Sequence, residues 1–139
     1  MRKILSIFAC LIAFSVSQVR ADVLARISVS QQSMTVYVDG MPRYTWPVST
    51  ARPPYATPRG SFRPQRMERM WYSRVYDNAP MPYAIFFYYG FAVHGTNHTR
   101  ALGRPASHGC VRLPTQAARE LFTLVKQHGM SNSRIVVGI

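Results

Sequence analysis

Only one stretch of this 139-residue chain repeats its apolar residues with the 3.6-residue period of a helix. That scarcity excludes helical bundles and alternating α/β folds. Ala118, Leu121, Phe122 and Val125 fall at i, i+3, i+4 and i+7. Thr115, after Pro114, is placed to cap the start of this helix, and Gly129 to close its end. Elsewhere the period is two. Leu24 to Ser30 and Ser33 to Asp39 alternate apolar and polar residues as half-buried strands do, Asp39-Gly40 is a turn signal, and Arg43 to Trp46 continues as a third β-prone run. These three strands are expected to form a meander. Arg52-Pro53-Pro54-Tyr55-Ala56-Thr57-Pro58-Arg59-Gly60 is too rich in proline for a central strand and reads as a loop. Ser61 to Arg63 resumes the extended chain, and Met67 to Tyr76 is aromatic but has no clear period. Ala84 to Tyr89 and Phe91 to Val93 suit buried strands, with Gly90 marking a bulge or bend, and Arg134 to Val137 suits a last strand. The expected fold is mainly β, a sandwich or barrel with one principal helix. No repeat, low-complexity segment or linker divides it.

The first 21 residues have another character. Arg2 and Lys3 precede an apolar run from Ile4 to Val16, too short to span a bilayer comfortably, and Val19-Arg20-Ala21 offers a cleavage site. Residues 1–21 are expected to be a signal peptide, leaving 22–139 as one compact domain. An uncleaved anchor is the alternative. A lipoprotein signal ending at Cys10 leaves too little apolar chain before the cysteine. Export places the domain in the periplasm, where disulfides form. Yet removal of Cys10 leaves Cys110 with no partner, and an odd cysteine in an exported protein reads as a reactive thiol.

Charge narrows the partners. Losing Arg2, Lys3 and Arg20 leaves 14 of the 17 basic residues against 5 acids, a net charge of about +9. Such a balance favours polyanionic surfaces. Export argues against nucleic acid, so carboxylate-bearing envelope polymers or anionic lipid head groups fit better. A solvated basic face with no single partner explains the charge as well.

Cys110 stands in Ser107-His108-Gly109-Cys110-Val111-Arg112-Leu113, a short distance after His94-Gly95-Thr96. These residues resemble the signature of the L,D-transpeptidase catalytic domain, the YkuD family: a His-Gly-Thr-like element, a spacer of about a dozen residues, then Ser/Thr-His-Gly-Cys, an apolar residue and Arg or Asn. Met81-Pro82-Tyr83, Leu102 to Ala106 and the Thr57-Pro58-Arg59-Gly60 turn extend the likeness, although the family's usual turn reads Thr-Pro-Thr-Gly. It covers the chain from about Val23 to the end.

Chemistry and resemblance point the same way. A thiol with pKa near 8.5 is only a few per cent thiolate at neutral pH, and the thiolate is the nucleophile. An imidazole that takes the proton solves this. His94 is the candidate because it ends a strand and can be aimed at the cysteine loop. The resemblance implies that a backbone carbonyl orients it, here that of Gly95 or Thr96. Gly109 permits the sharp turn, and the N–H groups of Gly109 and Cys110, with Tyr83, are candidates to line an oxyanion hole. His108 and Ser107 either meet substrate or bond within the turn. Arg112 either binds a substrate carboxylate or pairs with Asp77 or Glu120. His98 and His128 are expected at the surface. A zinc site built from His94, His98, His108 and Cys110 is disfavoured: His94-x-x-x-His98 needs a helix that Gly95 opposes, and His-x-Cys is not a usual zinc spacing. No metal or cofactor is therefore expected.

The resemblance implies a peptidoglycan L,D-transpeptidase acting on stem peptides through a thioester on Cys110, with carbapenems as acylating inhibitors. The acceptor amine can come from another stem peptide, an envelope protein or a D-amino acid. Two rivals remain: an L,D-carboxypeptidase or endopeptidase with the same Cys110 and His94, and a noncatalytic envelope-binding protein.

Overall fold

The structure, a computed structural model, describes residues 21–139. The expected signal segment, with Cys10, lies outside the described residues apart from Ala21. Nine strands and one α-helix follow in order: β1 (Val23–Ser28), β2 (Ser33–Val38), β3 (Met41–Pro47), β4 (Gly60–Phe62), β5 (Arg66–Tyr72), β6 (Pro80–Tyr88), β7 (Phe91–Thr96), β8 (Val111–Pro114), α1 (Thr115–His128) and β9 (Ser133–Gly138).

The strands form two sheets, one in the order β3-β2-β1-β9-β4 and the other β5-β6-β7-β8. The meander predicted from period-two alternation is the antiparallel β1-β2-β3. Its buried set of Val23, Ala25, Ile27, Met34 and Val36 faces Ile85, Phe87, Val93, Val111 and Leu113 of the second sheet. Ala117, Ala118, Leu121, Leu124 and Val125 bring the apolar stripe of α1 into the same core. Full burial of each large aliphatic side chain contributes about 1.5–3 kcal/mol, so one continuous core holds both sheets and the helix together.

Several local expectations shift. Pro114, not Thr115, holds the cap position of α1, with no side-chain cap bond. Pro114 is already extended because it pairs with Thr96 as the last residue of β8, and the Thr115 hydroxyl donates to the Thr96 carbonyl at 3.3 Å instead. Gly129 closes the helix as expected, at φ 95° with its N–H on the Val125 carbonyl. The ambiguous aromatic run splits into β5 and a turn, and Gly90 lies in the tight β6–β7 turn while the register shift falls between Phe86 and Tyr88.

Parallel pairing of β7 with β8 positions the site. A parallel neighbour needs a crossover of a dozen or more residues, and the spacer between Thr96 and Val111 supplies it. It returns the chain so that β8 starts beside the start of β7. Cys110, the residue before β8, therefore comes to rest against Ala92.

Candidate active site

Side chains alternate across a strand. Val93, Val111 and Leu113 are in the core, so Ala92 and His94 on β7, Arg112 on β8 and Cys110 just before β8 face the other side of the sheet. Register places His94 beside Arg112. The Cys110 sulfur accepts the Ala92 N–H at 3.5 Å, and its surroundings include the small cluster of Met81, Ala84, Phe86 and Ala92. Cys110 is a free thiol, partly accessible.

His94 is 6% exposed, and its Nδ1 lies 2.7 Å from the Gly95 carbonyl oxygen. A carbonyl can only accept, so Nδ1 carries the proton and Nε2 presents the bare lone pair. Burial, opposed by that carbonyl and reinforced by the Arg112 charge, lowers the His94 pKa to about 4. Burial likewise pushes the Cys110 thiol up, against the Ala92 N–H and the Arg112 guanidinium, which both favour the thiolate. Both groups are neutral at pH 7. On one face of the sheet stand a neutral thiol and a base with a vacant lone pair, not a preformed thiolate–imidazolium ion pair. Arg112 makes no ion pair with Asp77 or Glu120; the salt bridges among the described residues are Arg66–Glu68 and His128–Asp22. Its charge is left to act on Cys110 and His94.

The turn before the cysteine is held from within. Ser107, 1% exposed, donates its hydroxyl to the Cys110 carbonyl at 2.6 Å and accepts the Gly109 N–H at 3.1 Å. This corrects the expected oxyanion hole: the Gly109 N–H is already bonded, which leaves the Cys110 N–H as the candidate donor of the pair. Gly109 itself is at φ +145°, and a Cβ there would overlap the Phe91 ring. Tyr83 departs further from expectation. It packs edge-on against Phe122 of α1, ring centres 5.6 Å apart, as part of the main core and away from the sulfur. It shares the core face of β6 with Ile85 and Phe87, alternating with Ala84 and Phe86 on the other face. Thr96 accepts the His98 N–H at 3.0 Å and so shapes the turn leaving β7 rather than the sulfur's surroundings.

His108 lies in a cluster that the sequence did not reveal. Tyr76 stacks on its ring at 4.0 Å and 8°, Tyr55 meets it edge-on at 4.8 Å, and an Arg52 Nη2 donates to its Nε2 at 3.0 Å. Desolvation, with the charges of Arg52 and Arg112, lowers its pKa. Arg52 also donates to the Ala106 carbonyl and lies over the Tyr55 ring. The segment 48–52 stitches the cysteine loop in place: Ser49 exchanges backbone bonds with Arg112, Thr50 accepts the Ala106 and Ser107 N–H groups, and Ser49 Oγ donates to the Arg104 carbonyl at 2.7 Å. Two loops distant in sequence thus frame one side of the thiol with aromatic and cationic groups.

Fold and site together define a class: a two-sheet β domain that carries, on one sheet face, the Cys110 thiol and a carbonyl-held histidine. The chain belongs to the L,D-transpeptidase catalytic domain family, whose YkuD model matches residues 22–137. It is similar to an L,D-transpeptidase from Mycobacterium smegmatis, at 25% identity and TM-score 0.75, with 86% of this chain and 59% of that one covered. An L,D-transpeptidase from Mycobacterium tuberculosis H37Rv is comparable, at 26% identity and TM-score 0.74, over 85% of this chain and 58% of that one. A further L,D-transpeptidase, solved in complex with imipenem, matches at 26% identity and TM-score 0.73, over 84% of this chain and 59% of that one. The chain therefore spans less than two thirds of the length of these solved relatives. No curated protein matches it.

Proposed function

We propose that this protein is an exported cysteine acyltransferase, an L,D-transpeptidase working on peptidoglycan stem peptides in the periplasm. The observation that carries the reading is the His94 Nδ1–Gly95 carbonyl bond, which leaves Nε2 as the basic nitrogen of a residue on the sheet face that holds Cys110. In the acylation half, Nε2 takes the Sγ proton and the thiolate attacks the carbonyl on the D-centre of diaminopimelate, which is joined to a terminal D-alanine. The Cys110 N–H would donate to the oxyanion. The imidazolium then returns its proton to the departing amine, D-alanine leaves, and a thioester remains on Cys110. In the second half an acceptor amine gives its proton to Nε2 and attacks the thioester; the C–S bond breaks and the Cys110 sulfur takes the proton back from Nε2. A stem-peptide amine yields a crosslink, and an envelope-protein amine yields attachment to the wall. Water as acceptor would make the same machinery an L,D-carboxypeptidase.

Because both groups rest neutral, forming the ion pair is part of the acylation barrier. The guanidinium of Arg112 offsets part of that cost by favouring the thiolate. The test is intact-mass analysis of purified protein incubated with imipenem and with a tetrapeptide muropeptide. Wild type is expected to gain one covalent adduct and to release D-alanine, and Cys110→Ala neither. An adduct that persists in Cys110→Ala, or its absence from wild type, defeats the reading. Release of D-alanine with no amine-linked product selects the carboxypeptidase.

A further inference from the structure

The sheet that carries Cys110 has a cavity on its helix side. Arg69 from β5, Tyr83 from β6, and Arg119, Phe122, Thr123 and Lys126 from α1 line a space of about 280 Å3. Three cations converge there, and none is in an ion pair among the described residues. The acids adjacent in sequence are turned away by strand and helix periodicity. Glu68 alternates to the opposite face of β5 and pairs with Arg66 at 3.2 Å, while Glu120 sits one helical step round from Arg119 and accepts from Gln116 at 3.3 Å. Thr123 Oγ1 donates to the Arg119 carbonyl at 2.9 Å, so that hydroxyl is spent within the helix. Like charges gathered without a counter-ion raise the energy of the empty protein, and an anion that fills the space relieves it.

The lining also specifies the kind of anion. Two guanidinium forks and one ammonium suit a group with several acceptor oxygens and more than one negative charge. A phosphate monoester supplies three oxygens and a charge of roughly −1.5 to −2 at neutral pH, where a carboxylate supplies two oxygens and one charge. Tyr83 and Phe122, ring centres 5.6 Å apart, add an apolar wall that inorganic phosphate alone would leave uncovered. We propose that this cavity is a binding site for a phosphate monoester, its dianion held by Arg69, Arg119 and Lys126 and its organic part laid against Tyr83 and Phe122. The site is on the other face of the sheet from Cys110, so its occupant does not compete with acyl transfer. It can hold the enzyme to a phosphorylated surface or to a soluble ester while the thiol works.

The full chain after the signal segment is titrated with inorganic phosphate, with phenyl phosphate and with phosphatidylcholine vesicles containing phosphatidic acid. Binding of the soluble probes is followed by amide NMR shifts and calorimetry, and vesicle binding by co-sedimentation. Phenyl phosphate is expected to bind more tightly than inorganic phosphate and to shift the amides of Arg69, Tyr83 and Thr123. The variant Arg69→Gln/Arg119→Gln/Lys126→Gln is expected to weaken binding by about tenfold or more. A control that removes the same charge from the first sheet, Arg26→Gln/Arg43→Gln/Arg134→Gln, is expected to leave it within about twofold. All three pocket cations are exposed, so an unchanged Tm confirms that the pocket variant is folded. Pocket-dependent binding of phenyl phosphate without the vesicles assigns the site to soluble esters, and pocket-dependent vesicle binding assigns it to a lipid head group. Equal loss in both variants, or no binding by wild type, overturns the proposal. The readout needs no turnover, so it stands or falls separately from the reaction at Cys110.

Discussion

At the residue scale, the decisive contact is between neighbours in sequence. His94 bonds the carbonyl of Gly95, so its tautomer is fixed by local backbone geometry and no third side chain is needed to orient it. Burial is the larger influence on its titration. With the folded pKa near 4 against 6.5 in an unfolded chain, the unfolded state binds the extra proton between those values. Stability contributed by the neutral histidine is thus complete above pH 6.5 and falls as pH drops toward 4. The pKa gap corresponds to about 3 kcal/mol. Urea titrations at pH 7 and pH 4 should show a loss of that order in wild type, and His94→Gln should lack this component. A loss of equal size in His94→Gln would place the acid sensitivity elsewhere, among the carboxylates.

At the scale of elements, the parallel crossover from β7 to β8 does the assembling. It carries the motif's spacer, and its last turn delivers the thiol to the edge of the strand that holds the histidine. The turn leaves no room for a side chain at its sharpest point. Gly109→Ala places a Cβ against the Phe91 ring at a left-handed φ, so both ring and backbone must move. The expected cost is about 2–4 kcal/mol in stability, together with a fall in carbapenem acylation rate of at least about tenfold. Chemical denaturation and stopped-flow fluorescence measure the two effects. Acylation at the wild-type rate would show that the turn's geometry does not position the thiol. The helix start makes the complementary point. Thr115 carries the side chain of a good cap, yet strand pairing of Pro114 with Thr96 takes over the cap position and redirects the hydroxyl to the strand.

At the scale of the whole molecule, the first sheet supports the site through one buried amide. Gln32, 4% exposed in the turn between β1 and β2, donates to Thr50 Oγ1 at 2.6 Å and accepts the Thr50 N–H at 3.0 Å. Thr50 in turn accepts from Ala106 and Ser107, next to the cysteine turn. Gln32→Ala would leave a buried N–H without a partner, at about 1–3 kcal/mol. It should also slow acylation of Cys110, although residue 32 lies in a turn of the opposite sheet's meander. Thermal unfolding and adduct formation followed by mass should fall together; a stability loss with unchanged acylation would show that the strap at 48–52 holds without it.

The architecture and the reactive pair are written in local pattern. Period-two alternation gave β1 and β2, β-prone runs gave β3 and β9, the one 3.6-residue stripe gave α1, and the His-Gly-Thr and Ser-His-Gly-Cys elements pointed to His94 and Cys110. These are legible because alternation and turn chemistry depend on near neighbours. Arg52, Tyr55 and Tyr76 around His108 and the Gln32–Thr50 link were not legible. Each depends on which loops meet after two sheets close on one core, and that leaves no periodic trace. The sequence by itself determined a mainly β domain with Cys110 and His94 as its candidate pair. Only the tertiary structure decided that the two groups rest neutral, that the Gly109 N–H is already bonded, and that the cations beside α1 converge, because desolvation and like-charge proximity arise only when distant segments pack together.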